Sequence, residues 1–356
     1  MSTLRVTAEL LTVHPHPNAD ALELAQVGLY RAVVAKGAYR SGDAAIYIPE
    51  QAVLPAALVD ELGLTGRLAG KASDRVKAVR LRGELSQGLV CRPTALADVD
   101  LARAAEEGTD FAEVLGITKW APPIPPTMSG DVESAPDLLP WVDIENLQRY
   151  PGIFEPGEPV VLTEKLHGTA CLMTYVAEDG RVHVSSKGFG GKGLALTEDP
   201  RNLYWRAITG HDVPAVAARL AARLGARRVG LFGEVYGSGV QDLGYGADAR
   251  SQGLGYAVFD VSAEIDGEVR WLDPAAVLEP GELPLVPRLY EGPYDLDTVL
   301  ELASGRETVS GRALHLREGV VIRPAVERYS PVTGGRAIAK AVSPAYLTRK
   351  GGTEFE

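Results

Sequence analysis

The sequence predicts an α+β protein of two domains, with antiparallel sheets in place of a doubly wound core. Three observations predict it. The chain has 356 residues, more than one compact core usually holds. Its strand and helix patterns do not alternate strictly. A run of structure breakers at residues 121–130, APPIPPTMSG, divides it. Proline lacks the amide donor and restricts its predecessor, so this run builds neither helix nor central strand. With the acidic stretch to Pro140 it reads as an exposed linker over 121–140, between a first domain at 1–120 and a second at 141–356.

The first domain reads as all-β at its start. Short, partly alternating runs at 4–13, 22–27, 30–35 and 44–49 are separated by turns at Asn18-Ala19-Asp20, Lys36-Gly37 and Ser41-Gly42-Asp43. That spacing predicts a small closed or half-closed barrel, an OB-like architecture. A short helix is expected at 54–62, stopped by Gly63, and further strands at 76–81 and 88–91. The second domain mixes both element types. Strands are expected at 159–165, 169–176, 181–187, 230–236, 255–261, 318–323 and 336–342. Val216, Leu220 and Leu224 recur every four residues in a helix over 214–224 that Gly225 stops, and 296–303 is a second helix.

Composition bounds the class. Hydrophobic residues make up 46% and charged residues 23%, as in a soluble globular protein. Apolar runs such as 160–162 and 320–322 are far too short to cross a bilayer, so no membrane partner is expected. The opening MSTLR leads into an alternating pattern, not a signal-peptide core, and a cytoplasmic protein is expected. Cys91 and Cys171 lie in apolar strand-like stretches and read as buried free thiols. The net charge of −11 argues against nonspecific nucleic-acid binding. Its distribution softens the point: residues 121–160 carry one cation against seven acids and supply −6 of it, whereas 66–92 carry seven cations against two acids. A basic patch guides phosphates even on an acidic protein.

The chemistry concentrates in the second domain. In Thr163-Glu164-Lys165-Leu166-His167-Gly168-Thr169 an apolar strand ends on a charged pair, and a glycine then lets the chain turn. Taken alone, this is a hairpin with a surface lysine. Other stretches change that reading. Glu234 lies in the apolar strand LFGEVYG, Glu318 opens REGVVIR, Lys187 ends a strand in SSKG, and Lys340 sits in AIAKAV. Charges in core strands are rare unless they are paired or bind something. Their convergence on one pocket with Lys165 suits a polyanion and a divalent cation. Two other motifs are discounted. Gly188-Phe-Gly190-Gly-Lys-Gly193 fits G-x-G-x-x-G but has no βαβ unit around it, and reads better as a mobile phosphate-covering loop. His14, His16, His183, His211 and His315 lack zinc-ligand spacing.

The order K-x-x-G, S-[RK]-G, F-G-E-x-Y-G, Y-x-x-F-D, E-G-V-V and a late lysine strand resembles the covalent nucleotidyltransferase superfamily of DNA ligases, RNA ligases and mRNA capping enzymes. The resemblance covers about residues 141–350, and PLVPRLYEGP, ending at Pro293, is similar to a segment of RNA ligases. The Glu164-Lys165 pair followed by His167-Gly168-Thr169 resembles the nick-sealing RNA ligases; DNA ligases and capping enzymes usually have Asp in place of His167. Two positions depart from the pattern. Ala170 stands where an Asn is common, and Val342 where many carry a second lysine.

The resemblance implies an ATP-grasp-like ligase adenylylation domain that uses ATP and Mg²⁺ or Mn²⁺, and a monomer that seals a nicked RNA or RNA/DNA duplex. It implies Lys165 as the nucleophile that takes AMP, with Lys187 and Lys340 also catalytic as phosphate ligands. It places Glu164, His167, Gly168, Glu234 and Phe259 around the nucleotide, with Glu234 on the ribose and Phe259 on the adenine. Glu318 would be the metal ligand. In the first domain, residues 14–24, HPHPNADALEL, resemble the opening of OB-type tRNA-binding modules. Arg67, Lys71, Arg75, Lys77, Arg80 and Arg82 would then contact nucleic acid. The alternatives are an ATP-dependent DNA ligase, a capping-type guanylyltransferase, and a noncatalytic RNA-binding protein. His167 and the short stretch after Lys340 weigh against the first two, and the buried charged set against the third.

Overall fold

The computed structural model describes residues 4–247, 253–350 and 352. The chain divides into two compact units, one of residues 1–121 with 144–153, the other of residues 122–143 with 154–356.

In the first unit the strand Ala44–Ile48 is central, pairing antiparallel with Thr7–Leu10 on one side and Leu89–Cys91 on the other. Its two faces serve two cores, as the period of two in a strand requires. Ala45 and Tyr47 join Ala25, Val27, Tyr30 and Val34 of a second antiparallel sheet, Thr12–Pro15, Leu22–Val27 and Tyr30–Ala35. Ile46 and Ile48 instead pack against Leu58 and Val59 of the helix Ala56–Glu61 and Ala104 of the helix Leu101–Glu107. The expected barrel is therefore two three-stranded sheets folded over a shared core, and among the described residues their hydrogen bonds do not close a ring. Both cysteines are buried and free, and burial pushes the Cys91 thiol up to about 12.

Two larger sheets and a two-stranded ribbon, Tyr329–Ser330 with Gly335–Arg336, lie among the described residues of the second unit. Seven antiparallel strands run in the order Val132–Ser134, Leu194–Leu196, Val182–Ser186, Thr169–Val176, Arg228–Tyr236, Gly255–Ile265 and Glu268–Leu272. The helix Val213–Leu224 buries Val216, Ala217, Leu220 and Ala221 in the same core as Met173, Val229 and Leu231. The other sheet runs Ala339–Val342, Gly319–Pro324, Pro159–Lys165 and Arg288–Pro293. Helix Leu296–Ala303 matches its expected bounds and is capped by Asp295, which accepts from the Thr298 amide at 2.8 Å.

The stretch expected as an exposed linker behaves differently. Met128, Ala135 and Leu139 are buried, and Val132–Ser134 adds an edge strand onto Leu194–Leu196. Proline and acid content dominate its composition, but these few apolar anchors decide where it lies. Residues 144–153, expected in the second domain, belong to the first unit. There Leu147 is fully buried, Gln148 accepts from the Leu29 amide at 2.7 Å, and Arg149 pairs with Glu9.

Candidate active site

The segment from Lys165 to Thr169 carries the chain from the smaller sheet of the second unit to the larger one. Two contacts fix the crossing. Leu166 is buried with Tyr245, Ala257 and Val286. Gly168 lies so close to the next strand that a Cβ there would sit 2.1 Å from the Val235 carbonyl oxygen. Only glycine fits such an approach.

Register then sets the neighbours of Lys165. It lies opposite Gly319, which lies opposite Val342. Two pairs further in, Thr163 faces Val321, which faces Lys340. Paired residues share a face, and so do residues two apart, so Lys340 projects from the same face as Lys165. Gly319 keeps the space between the strands clear, since a Cβ there would meet the Ala341 oxygen at 2.1 Å. Glu164 faces the other way and is 1% exposed. It accepts hydrogen bonds from the Thr308 amide at 2.8 Å and from the hydroxyls of Thr308 and Tyr245. The Glu164 side chain thus has internal partners on the face opposite Lys165, as strand alternation dictates.

Glu318 meets Lys165 at 2.5 Å. Burial raises its carboxyl pKa, but Lys165 and His167 outweigh burial and hold it down to about 2. Glu234, opposite Ala170 in the neighbouring strand, shows the reverse. Burial pushes it up to about 8, with Glu318 adding to the rise and Lys165 and Lys187 opposing it. Burial and neighbouring charge thus drive these two carboxyls in opposite directions, the pattern of a tuned site. His167 is held on both ring nitrogens. Nε2 lies 2.7 Å from Asp242, and Nδ1 lies 2.7 Å from the Tyr346 hydroxyl and 3.5 Å from Glu318. Arg349 donates twice to Asp242, each at 3.1 Å, and stacks 3.7 Å over the Tyr346 ring. Lys187 pairs with Asp143 at 2.6 Å and lies 5.9 Å over the Trp141 ring. Phe259, partly buried, meets Trp141 edge-on at 5.7 Å.

The structure thus brings Lys165, His167, Gly168, Glu234 and Glu318 together, with Lys187 close enough to act on Glu234. Among the described residues no cluster of three or more His, Cys, Asp or Glu side chains forms a metal cage. An ionised Glu318 beside Glu234 offers what Mg²⁺ or Mn²⁺ takes when it keeps its waters and draws other ligands from substrate phosphates.

Sequence reasoning missed Asp143, Asp242, Tyr245, Thr308, Tyr346 and Arg349. His167 meets its partners 75 and 179 residues away, and neither carries a local periodic signal. The one available hint is position: Asp242 follows the FGEVYG strand, and Tyr346 and Arg349 follow the Lys340 strand. In the first unit Arg67, Lys71, Arg80 and Arg82 are exposed and Lys77 is partly so. Arg75 is not a free surface cation; its guanidinium stacks 3.9 Å over Trp120. Among the described residues no helix is long and apolar enough to cross a membrane.

Fold and site together define an α+β protein of two units, a small β-rich one and a second that carries a lysine–carboxylate centre. A family model for RNA ligase matches residues 158–342, and a model for an OB-fold domain matches residues 4–94. Solved structures of Naegleria gruberi RNA ligase share the fold at 24% identity. A mutant with ATP and Mn has a TM-score of 0.74, covering 96% of this chain and 98% of that one. The enzyme with PPi has a TM-score of 0.75 over 97% and 98%. An apo mutant has 0.76 over 98% of each. A search of curated proteins found no match. The ligase match spans just over half of the chain, from the Lys165 strand to the Lys340 strand, and the chain belongs to the RNA ligase family.

Proposed function

We propose that the protein uses ATP to join a 5′-phosphate to a 3′-hydroxyl in RNA, at nicks in a duplex, through AMP carried on Lys165. The observation that carries this reading is the Lys165–Glu318 pair at 2.5 Å, with Glu234 beside it and Lys340 on the same face. The Lys165 amine would attack the α-phosphate of ATP, forming an N–P bond as the bond to pyrophosphate breaks. Attack needs the amine without its proton, which passes to solvent. Pairing with Glu318 favours the protonated amine, so that pair must open first; Lys340 favours the neutral form by like-charge repulsion. Lys187 and Lys340 would meet the phosphate oxygens. Glu234 would hold the ribose, Phe259 the adenine, and Glu318 a divalent cation that screens the phosphates. The 5′-phosphate would then displace Lys165 from AMP, and a 3′-hydroxyl would displace AMP. The reading takes the protein to act as a monomer in the cytoplasm.

Labelled ATP with Mg²⁺ should mark the protein. Lys165→Ala should abolish the label, and so should Lys165→Arg, since a guanidinium stays protonated. Label from GTP and not ATP would turn the reading to a capping enzyme. Matched nicks ending in ribose or deoxyribose separate RNA from DNA sealing, because the 2′-hydroxyl is what distinguishes them. Equal sealing of both would favour a DNA ligase.

A further inference from the structure

Two adjacent residues of one strand hold two points of one segment. The segment joins the helix Leu296–Ala303 to the strand Gly319–Pro324. Lys165 meets Glu318 at its end, while Glu164, on the opposite face, grips Thr308 through both its amide and its hydroxyl. Between these points the segment is closed on itself. Glu307, 1% exposed, accepts from the Ser310 amide at 3.0 Å, the Ser310 hydroxyl at 2.5 Å and the Leu314 amide at 2.8 Å. The Glu307 amide donates to the His315 carbonyl at 3.0 Å, and the Arg317 amide to Gly305 at 2.9 Å. Tyr245, which donates to Glu164, stacks at 6.4 Å on the His315 ring. A segment tied this way moves as one piece, so a displacement at Thr308 passes to Glu318.

We propose that Glu164 is a positioning residue: through Thr308 and Tyr245 it sets where the 304–318 segment lies, and so where the Glu318 carboxylate stands against Lys165. A carboxylate at this depth costs free energy unless every partner is met. An apolar side chain would fill the same core position without that cost, but it would not fix the register of the segment. The consequence for catalysis rests on the reading of Lys165 as the residue that takes AMP; the clamp itself does not.

The test uses the full chain with Thr308→Val, Thr308→Ser and Tyr245→Phe, because Glu164→Gln carries a greater risk of misfolding. Hydrogen exchange of residues 304–318 needs no ATP. It should speed up about tenfold in Thr308→Val and Tyr245→Phe, and little in Thr308→Ser, with a larger change in this segment than in the strands of either sheet. The first-order rate of AMP transfer to Lys165 should fall about 10- to 100-fold in Thr308→Val with ATP affinity held, the scale expected of a misplacement near 1 Å. Thr308→Ser should recover most of it. In a Glu318→Ala background Thr308→Val should add no further loss, since the two act in series. Unchanged exchange in Thr308→Val and Tyr245→Phe would overturn the clamp. Faster exchange with an unchanged transfer rate would overturn its role in positioning. If the wild-type protein takes no label from ATP, the ligase reading fails, while the exchange data still decide the clamp.

Discussion

Lys165 and Glu318 stand 2.5 Å apart in space and 153 residues apart in sequence. Glu318 and its neighbour Glu234 are driven in opposite directions, to about 2 and about 8 from an ordinary value of 4.5. Each shift is also a statement about stability. The depressed Glu318 carboxyl contributes stability that is present above about 4.5 and lost as pH falls toward 2. The raised Glu234 carboxyl contributes stability that is present below about 4.5 and lost as pH rises through 8. Glu234→Gln should therefore raise the melting temperature at pH 8, with the gain fading toward pH 4.5. Glu318→Gln should lower it at pH 7 and flatten the acid limb between 4.5 and 2. Thermal melts across pH check both; a Glu234→Gln gain that is the same at every pH would show that the raised carboxyl is not the cause.

Gly168 and Gly319 place backbone against backbone at the site, each with a carbonyl oxygen 2.1 Å from where a Cβ would lie. Alanine at either position must push two paired strands apart. Each substitution should cost about 3 kcal/mol or more, the upper range for overpacking. Urea titration measures it. A loss under about 1 kcal/mol at Gly168 would mean that the crossing from sheet to sheet tolerates a shift, which the Leu166 packing argues against.

Arg349 stabilises the His167 environment at one remove. Burial raises the Asp242 carboxyl, but the hydrogen bonds from Arg349 and His167 outweigh it and leave it below its ordinary range. Arg349→Ala removes both guanidinium bonds to Asp242 and the stack on Tyr346. It should cost about 1–3 kcal/mol, the range for hydrogen bonds to a charged group. Arg349→Lys should not restore the loss, because an ammonium neither forks nor stacks in the same way. Equal stability of the lysine variant and the wild type, by calorimetry, would reduce the contact to simple charge pairing.

The parts of this fold that were legible in the sequence are those in which one physical cause dominates locally. The strands Pro159–Lys165 and Thr169–Val176 and the helix Leu296–Ala303 have the bounds that their apolar runs and flanking breakers predict. Glu234 and Glu318 stand out in the sequence because charge in an apolar strand is costly without a partner, whereas Lys165 is singled out only by the ordered motifs around it. The direction of the Glu164 side chain is also available in principle, since strand alternation turns it away from Lys165. The stretch at 121–140 reads as an exposed linker because composition averages over residues, whereas three of its side chains, Met128, Ala135 and Leu139, are buried. Asp242, Tyr346 and Arg349 were out of reach for a different reason: they come to His167 only after distant strands have paired.

That stretch also decides how the catalytic unit must be cut from the chain. The strand Val132–Ser134 pairs with Leu194–Leu196, Leu139 packs with Leu172 and Phe232, Trp141 meets Phe259, and Asp143 pairs with Lys187. A fragment beginning at Pro122 keeps all four contacts. One beginning at Trp141 loses the edge strand and Leu139, and one beginning at Phe154 also loses the partners of Lys187 and Phe259. AMP labelling should therefore fall in that order, with the Phe154 fragment slowest, even though residues 158–342 alone span the ligase match. Sealing asks for more than labelling, because nucleic acid must be held through its phosphates, a contact that weakens as salt rises. The exposed cations Arg67, Lys71, Arg80 and Arg82 lie within residues 1–121, the part of the first unit that every one of these fragments lacks. The Pro122 fragment should label with AMP yet seal poorly. Charge reversal at Arg80 and Arg82 in the full chain should weaken sealing at low salt and leave labelling intact, whereas reversal at Arg75 should also destabilise the unit through its stack on Trp120. Equal labelling by the Pro122 and Phe154 fragments would remove residues 122–143 from the site, and full sealing by the Pro122 fragment would remove the first unit from nucleic-acid binding.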